Sequence, residues 1–111
     1  DARVAIRAAI RPGIKASDLF DIAVDVLDKH NLGLALSMVG HGLGLSIHEN
    51  PALTAYDHRP LEPGMVMNIE PNLEVPGMTM FNVEDAGVVT EDGFDPFVTT
   101  LTTDLDALAR V

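Results

Sequence analysis

Two glutamates stand where a carboxylate is hard to accommodate, and any fold of this chain must answer for them. Glu70 closes the run Met65-Val66-Met67-Asn68-Ile69, too apolar for an exposed ribbon. Pro71 follows and forces Glu70 into an extended conformation. Glu84 lies in the strand-like run Met80 to Val89. One face of that run carries Met80, Asn82, Glu84, Ala86 and Val88; the other carries Phe81, Val83, Asp85, Gly87 and Val89. At least one of Glu84 and Asp85 therefore points to whichever face is buried. A buried, unpaired carboxylate is costly or is forced to protonate. A bound cation removes that penalty. So does an edge strand with both acids wetted, or a pairing with an arginine such as Arg59. For Glu70 the alternative is a strand end reaching solvent.

A third feature converges on the same chemistry. Val39 to Pro51 reads Val-Gly-His-Gly-Leu-Gly-Leu-Ser-Ile-His-Glu-Asn-Pro and holds two of the four histidines. Gly40, Gly42 and Gly44 surround His41, so other groups can come close to its ring. His41 with Glu70 and Glu84 matches mixed nitrogen and oxygen ligation of Mn²⁺, Zn²⁺, Co²⁺ or Fe²⁺. Leu45, Ser46, Ile47 and His48 read as a strand with alternating faces. That would bring His48 to the same cleft as a hydrogen-bond donor to a substrate carbonyl.

The remaining elements set the fold class. Residues 2–11 read as a helix with Ile6 and Ile10 on one face and Arg3, Arg7 and Arg11 on another, ended by Pro12-Gly13. Asp1 is the sole N-cap candidate, so the chain starts at the very edge of an element, a hint of missing upstream sequence. Ser17 is the expected N-cap of a second helix over 18–30, with Asp18 and Asp21 in its first turn. Leu19, Ile22, Ala23, Val26 and Leu27 form its buried stripe, and Asp21, Asp25 and Asp28 its wet face. His30 is a dipole partner in the last turn, and Asn31 with Gly33 stops the helix. Strands are expected at 34–39, 65–70 and 78–90, with a continuation at 72–75 and turns at 61–64 and 76–77. Residues 51–63 read as irregular, and His58 as a surface residue. Glu91-Asp92-Gly93 is a hairpin turn, and Thr103–Leu108 a short helical turn. Two helices followed by strands predict an α+β fold, helices on one face of a mostly antiparallel sheet, as a single domain over 1–111.

Charge and composition exclude whole classes of function. Seven basic residues against seventeen acidic ones give −10, so neither nucleic acid nor an anionic membrane surface is an expected partner. With no cysteine there is no disulfide and no thiolate metal site; a metal must be held by oxygen and imidazole. No signal peptide or membrane-length apolar run is visible, and a cytoplasmic location is the expectation. Three motifs fail on inspection. His48-Glu49 does not complete His-Glu-x-x-His, because position 52 is alanine. The Gly40-Gly42-Gly44 spacing is not a dinucleotide fingerprint. Neither Ser37 nor Ser46 has a nucleophile-elbow context.

Three segments, in order, resemble the pita-bread metallohydrolases: methionine aminopeptidases, Xaa-Pro aminopeptidases, prolidases and creatinases. They are Gly40 to Glu49, Leu61 to Pro71, and Val83 to Gly93. Ile10-Arg11-Pro12-Gly13 before a helix also fits, and nearly the whole chain is covered. The resemblance implies the C-terminal half of the catalytic domain. It implies that His41, Glu70 and Glu84 ligate a two-metal centre, with Mn²⁺ expected and Co²⁺, Zn²⁺ or Fe²⁺ as alternatives. It gives His48 the substrate contact that stabilises the tetrahedral intermediate, and Glu70 the proton shuttle. Two further ligands, both aspartates, belong to a preceding half that this chain lacks. The chain thus carries three of five ligands and, alone, is expected to be inactive. The implied substrate is a peptide or small amide, cleaved near a peptide N-terminus or within an Xaa-Pro dipeptide. A homodimer is the expected assembly of the complete protein. Asn82 stands where prolidase-like members usually have arginine, whereas Glu84-Asp85 favours the prolidase and aminopeptidase P side. Two other readings are a metal-independent creatinase-like amidinohydrolase and a non-catalytic pita-bread binding module.

Overall fold

The computed structural model describes residues 2–32, 36–74, 77 and 80–98. Helix α1 spans Ala2–Ala9 and buries Ile6 completely; Ile10, just beyond it, is also buried. Helix α2 spans Ala16–Asp28. Leu19 and Ala23 are fully buried, with Ile22, Val26 and Leu27 partly so, and Asp21, Asp25 and Asp28 are exposed as expected.

The start of α2 differs from the expectation. Lys15, not Ser17, is the N-cap, and the Lys15 backbone N–H donates to Asp18 Oδ2 at 3.3 Å. The reason is tertiary. Residues 13–17 run alongside 57–61, with Ala16 N–H donating to Arg59 O at 3.0 Å and Ser17 N–H to Asp57 O at 2.8 Å. Those bonds satisfy the first amides of the helix, which would otherwise need a capping side chain. At the other end Asn31 takes φ +59°, and the Leu32 N–H returns to Leu27 O at 3.0 Å, closing the helix as its sequence predicts.

Among the described residues seven strands follow: β1 Gly40–Gly42, β2 Glu49–Ala52, β3 Val66–Ile69, β4 Leu73–Glu74, β5 Met80–Phe81, β6 Asp85–Val89 and β7 Phe94–Pro96. Five form one sheet in the order β2-β1-β3-β6-β7, antiparallel throughout; β4 and β5 make a separate ribbon. Helix α1 packs on α2 and against β3. The core between them is built from Ile6, Leu19, Val39, Leu53, Leu61, Met67, Ile69 and Val89.

Three strand expectations are corrected. The stretch before Gly40 is not strand where it is described; the glycine-histidine segment itself is the strand β1. Glycine is what allows it: a Cβ at Gly40 would collide with the Asn68 carbonyl oxygen, and one at Gly42 would meet Asn50 O at 2.6 Å. Leu45 to His48, read as a strand, belong to a bend over 44–48 with Leu45 and Ile47 exposed, and pairing resumes at Glu49. The long strand over 78–90 is broken by 82–84. Met80–Phe81 pairs with β4 and Asp85–Val89 joins the main sheet, while residues 78–79 lie outside the described residues. The hairpin at 91–93 joins β6 to β7, with Thr90 N–H donating to Gly93 O at 2.8 Å. Asp1, residues 33–35 and the turn at 103–108 lie outside the described residues. Among those described, no helix is long and apolar enough to cross a membrane.

Candidate active site

The site is assembled by three adjacent strands. His41 in β1 lies opposite Asn68 in β3, and Asn68 lies opposite Ala86 in β6. Glu70 follows directly on β3 and Glu84 directly precedes β6. Antiparallel register therefore brings residues from three distant parts of the chain to one end of the sheet.

The His41 ring is buried and held at both nitrogens. Nδ1 lies 3.0 Å from Gly42 O, and a carbonyl can only accept, so Nδ1 carries the hydrogen. Nε2 lies 3.2 Å from Glu70 Oε2. With Nδ1 protonated, a neutral ring turns its Nε2 lone pair toward the carboxylate. Two acceptors then face each other, unless a proton or a cation stands between them. An imidazole whose second nitrogen donates to a backbone carbonyl is also how metal-binding histidines are oriented. In donor type and placement, His41 and Glu70 fit one edge of a divalent metal site.

Glu84 and Asp85 diverge, and it is Asp85 that meets the expectation of one inward-facing acid. Glu84 is exposed. Asp85 turns to α1, where its Oδ2 lies 3.3 Å from Arg3 Nε and 3.1 Å from Arg7 Nη1. The partly buried acid is thus met by arginines, and by those of α1 rather than Arg59. Arg3 itself is 4% exposed. Arg59 instead grips Asp57 with Nη2···Oδ2 at 2.6 Å and Nε···Oδ1 at 2.8 Å. Those bonds, aided by the Ala52 and Arg59 backbone amides, hold the Asp57 carboxyl down at about 2 against burial. Glu84 is tied to the site by a different contact: Asn68 Nδ2 donates both to Glu70 Oε2, at 2.8 Å, and to Glu84 Oε2, at 3.1 Å.

His48 is exposed, yet its ring centroid lies 4.3 Å from that of His41, tilted by 54°. Both rings line a recess of about 530 Å³ with Met38, Glu49, Asn50 and Ala52. His48 reaches this place from a bend, not from the strand its alternation predicted. The bend is fastened by Glu49, whose Oε1 accepts from the Ser46 N–H at 2.9 Å. His58 is exposed as expected, with Nδ1 3.0 Å from Ser17 Oγ.

The three expected ligands share one neighbourhood without closing into a finished cage. Among the described residues no three of histidine, aspartate and glutamate are grouped as a metal site. The aspartates of α2 are exposed on its wet face and supply nothing to it. Asn68 and Asn72 had no role in the sequence reading, and Asn82 entered it only through the resemblance, although each stands two residues from Glu70 or Glu84. In a strand that spacing means the same face.

The family model of metallopeptidase family M24 matches residues 1–91. An Xaa-Pro dipeptidase of Lactobacillus helveticus is 39% identical over 101 residues, covering 90% of this chain and 27% of that protein. The prolidase of Pyrococcus furiosus superposes with a TM-score of 0.85 at 33% identity, over 91% of this chain and 30% of that one. The N-terminal domain of FACT complex subunit SPT16 from chickpea superposes with a TM-score of 0.86 over 96% of this chain and 28% of that one. At 20% identity, that likeness shows the fold alone. The chain spans about a quarter of the length of the curated relatives it matches. Its two helices and antiparallel sheet are part of the pita-bread fold.

Proposed function

Because the chain belongs to metallopeptidase family M24, we propose that it forms the C-terminal part of the catalytic domain of a metal-dependent peptidase. The substrate class is an amide bond near a peptide N-terminus or within a dipeptide of the Xaa-Pro type. The dipeptidase and prolidase relatives support that class. His41, Glu70 and Glu84 would hold divalent metal, two Mn²⁺-class ions being the preferred occupancy, with the remaining ligands supplied from outside this chain. Bound metal ions of this kind lower the pKa of water and polarise a carbonyl.

The chain's own residues divide the remaining work. Glu70, beside His41 Nε2, receives the proton released by the attacking water at a carboxylate oxygen. His48, exposed in the recess next to His41, donates a ring N–H to the carbonyl oxygen as negative charge develops there. The Gly42 carbonyl fixes the His41 tautomer, so that Nε2 would be the atom offered to a metal. The recess bordered by Met38 and Ala52 receives the side chain beside the cleaved bond.

The observation that carries this reading is the His41 Nε2–Glu70 Oε2 approach at 3.2 Å, with Nδ1 already committed to a carbonyl. The test is metal content and Xaa-Pro hydrolysis of the complete protein, before and after chelation. Turnover is expected to vanish on chelation, to return with Mn²⁺, and to be lost in Glu70→Gln and His41→Ala. Full turnover by metal-free protein overturns the reading. Binding of a protein partner without hydrolysis of any amide would favour a non-catalytic module.

A further inference from the structure

All four carboxylate oxygens of Glu70 and Glu84 receive an asparagine amide. Glu70 Oε2 accepts from Asn68 Nδ2 and Oε1 from Asn72 Nδ2, both at 2.8 Å. Glu84 Oε2 accepts from the same Asn68 nitrogen at 3.1 Å, and Oε1 from Asn82 Nδ2 at 3.0 Å. Flipping any of these amides would set its oxygen against a carboxylate, so the orientation of each is fixed by its partner. From this we infer that Asn68 and Asn72, with Asn82 at the rim, are positioning residues that aim the lone pairs of the two glutamates at a divalent cation. The inference rests on the reading of Glu70 and Glu84 as metal ligands.

Three physical points support it. Each carboxylate oxygen has two lone-pair directions, and an amide N–H engages one while leaving the other free. Asn68 serves both glutamates from one nitrogen, so it sets the spacing between them as well as their rotation. An amide is also neutral. It holds a carboxylate oxygen without adding positive charge beside an incoming cation.

Asn72 adds an independent sign. Its Oδ1 is buried and has no hydrogen-bond partner among the described residues. An orphaned buried acceptor lowers stability. A residue serving only the fold has no reason to carry that cost, whereas one needed for its Nδ2–Glu70 contact does.

The test measures Mn²⁺ binding to the metal-free complete protein by calorimetry, beside its thermal midpoint. Asn72→Ala is expected to weaken Mn²⁺ binding about 10-fold, within the range for partners that orient metal ligands. Its metal-free midpoint should be unchanged or higher, because the orphaned oxygen is gone. Asn68→Leu should weaken binding further, on the order of 100-fold, because both glutamates lose their shared donor. If that buried substitution prevents folding, Asn72→Ala decides alone. A lowered midpoint with wild-type Mn²⁺ affinity means a structural role only and overturns the inference. Glu70→Gln separates the two levels: if it too binds Mn²⁺ like the wild type, the ligand reading has failed and this inference with it.

Discussion

A methyl group on Gly42 tests how the sheet and the site depend on each other. Gly42 lies in β1 between β2 and β3, and its carbonyl holds His41 Nδ1 at 3.0 Å. The Cβ of Gly42→Ala would fall 2.6 Å from Asn50 O, 3.0 Å from Glu49 O and 3.1 Å from Asn50 C. All three are backbone atoms of β2, so no side chain can swing aside. Carbon–oxygen contacts across a sheet settle near 3.3 Å, so β2 must retreat by roughly 0.7 Å. Overpacking of this kind costs about 1–3 kcal/mol. The strain falls where the β1–β2 register is already irregular, between His41 and Gly42. That places it near 2 kcal/mol, since an edge strand can yield where a central one cannot. Urea unfolding of the complete protein should show a lower midpoint at unchanged slope. Mn²⁺ affinity should fall about 10-fold as the His41 support shifts. Gly13→Ala is the control: Gly13 has φ +88° and nothing within 4 Å of its would-be Cβ. It should cost about 1 kcal/mol in backbone conformation and leave Mn²⁺ binding untouched. A Gly42→Ala protein within about 0.5 kcal/mol of wild type would refute the reasoning. So would a Gly13→Ala protein with the same metal defect.

Two further expectations concern ion pairs. Asp57 is held at about 2, chiefly by the Arg59 side chain, so its contribution is fully present above the ordinary carboxylate pKa and is lost as pH falls from about 4 toward 2. Asp57→Asn should therefore be less stable than wild type by about 1 kcal/mol near neutrality, after discounting for screening by solvent. In unfolding midpoints measured as a function of pH, that gap should close only below about pH 4; a gap independent of pH down to 3 would contradict the assignment. Asp85→Asn removes the charge shared by Arg3 and Arg7 and should cost about 2 kcal/mol, as for hydrogen bonds to charged groups. A thermal midpoint equal to wild type would show that α1 is held by its apolar face alone.

What could be read from the sequence was whatever depends on local period. Ile6, Leu19 and Ala23 recur at helical spacing and are buried. The apolar run Met65 to Ile69 and the turn at 91–93 gave strands where strands occur. Alternation over 80–89 says that one of Glu84 and Asp85 faces inward, but not which. The buried guanidinium of Arg3 decides it, and nothing local announces that Arg3 is buried. Leu45 and Ile47 misled for a similar reason. Their alternation is genuine, but the loop is fixed by Glu49 folding back on Ser46, a contact no period encodes. The N-cap of α2 was misplaced because strand-like pairing with residues 57–61 replaced a side-chain cap. Motif order singled out His41, Glu70 and Glu84; that His41 meets Glu70 directly while Glu84 is linked through Asn68 became visible only in three dimensions.

The strand order has a consequence for how the protein is made. Arg7 reaches Asp85 across 78 positions of sequence, His41 reaches Glu70 across 29, and Asn68 reaches Glu84 across 16. Contacts of such separation form slowly, because chain entropy is lost before the contacts are gained. A nascent chain emerging from the ribosome as far as Glu70 has β1 and β3 but not the strand that follows Glu84. It cannot yet present the full set of residues to a cation. On the proposed reading of His41, Glu70 and Glu84 as ligands, loading with metal would therefore come after closure of the sheet.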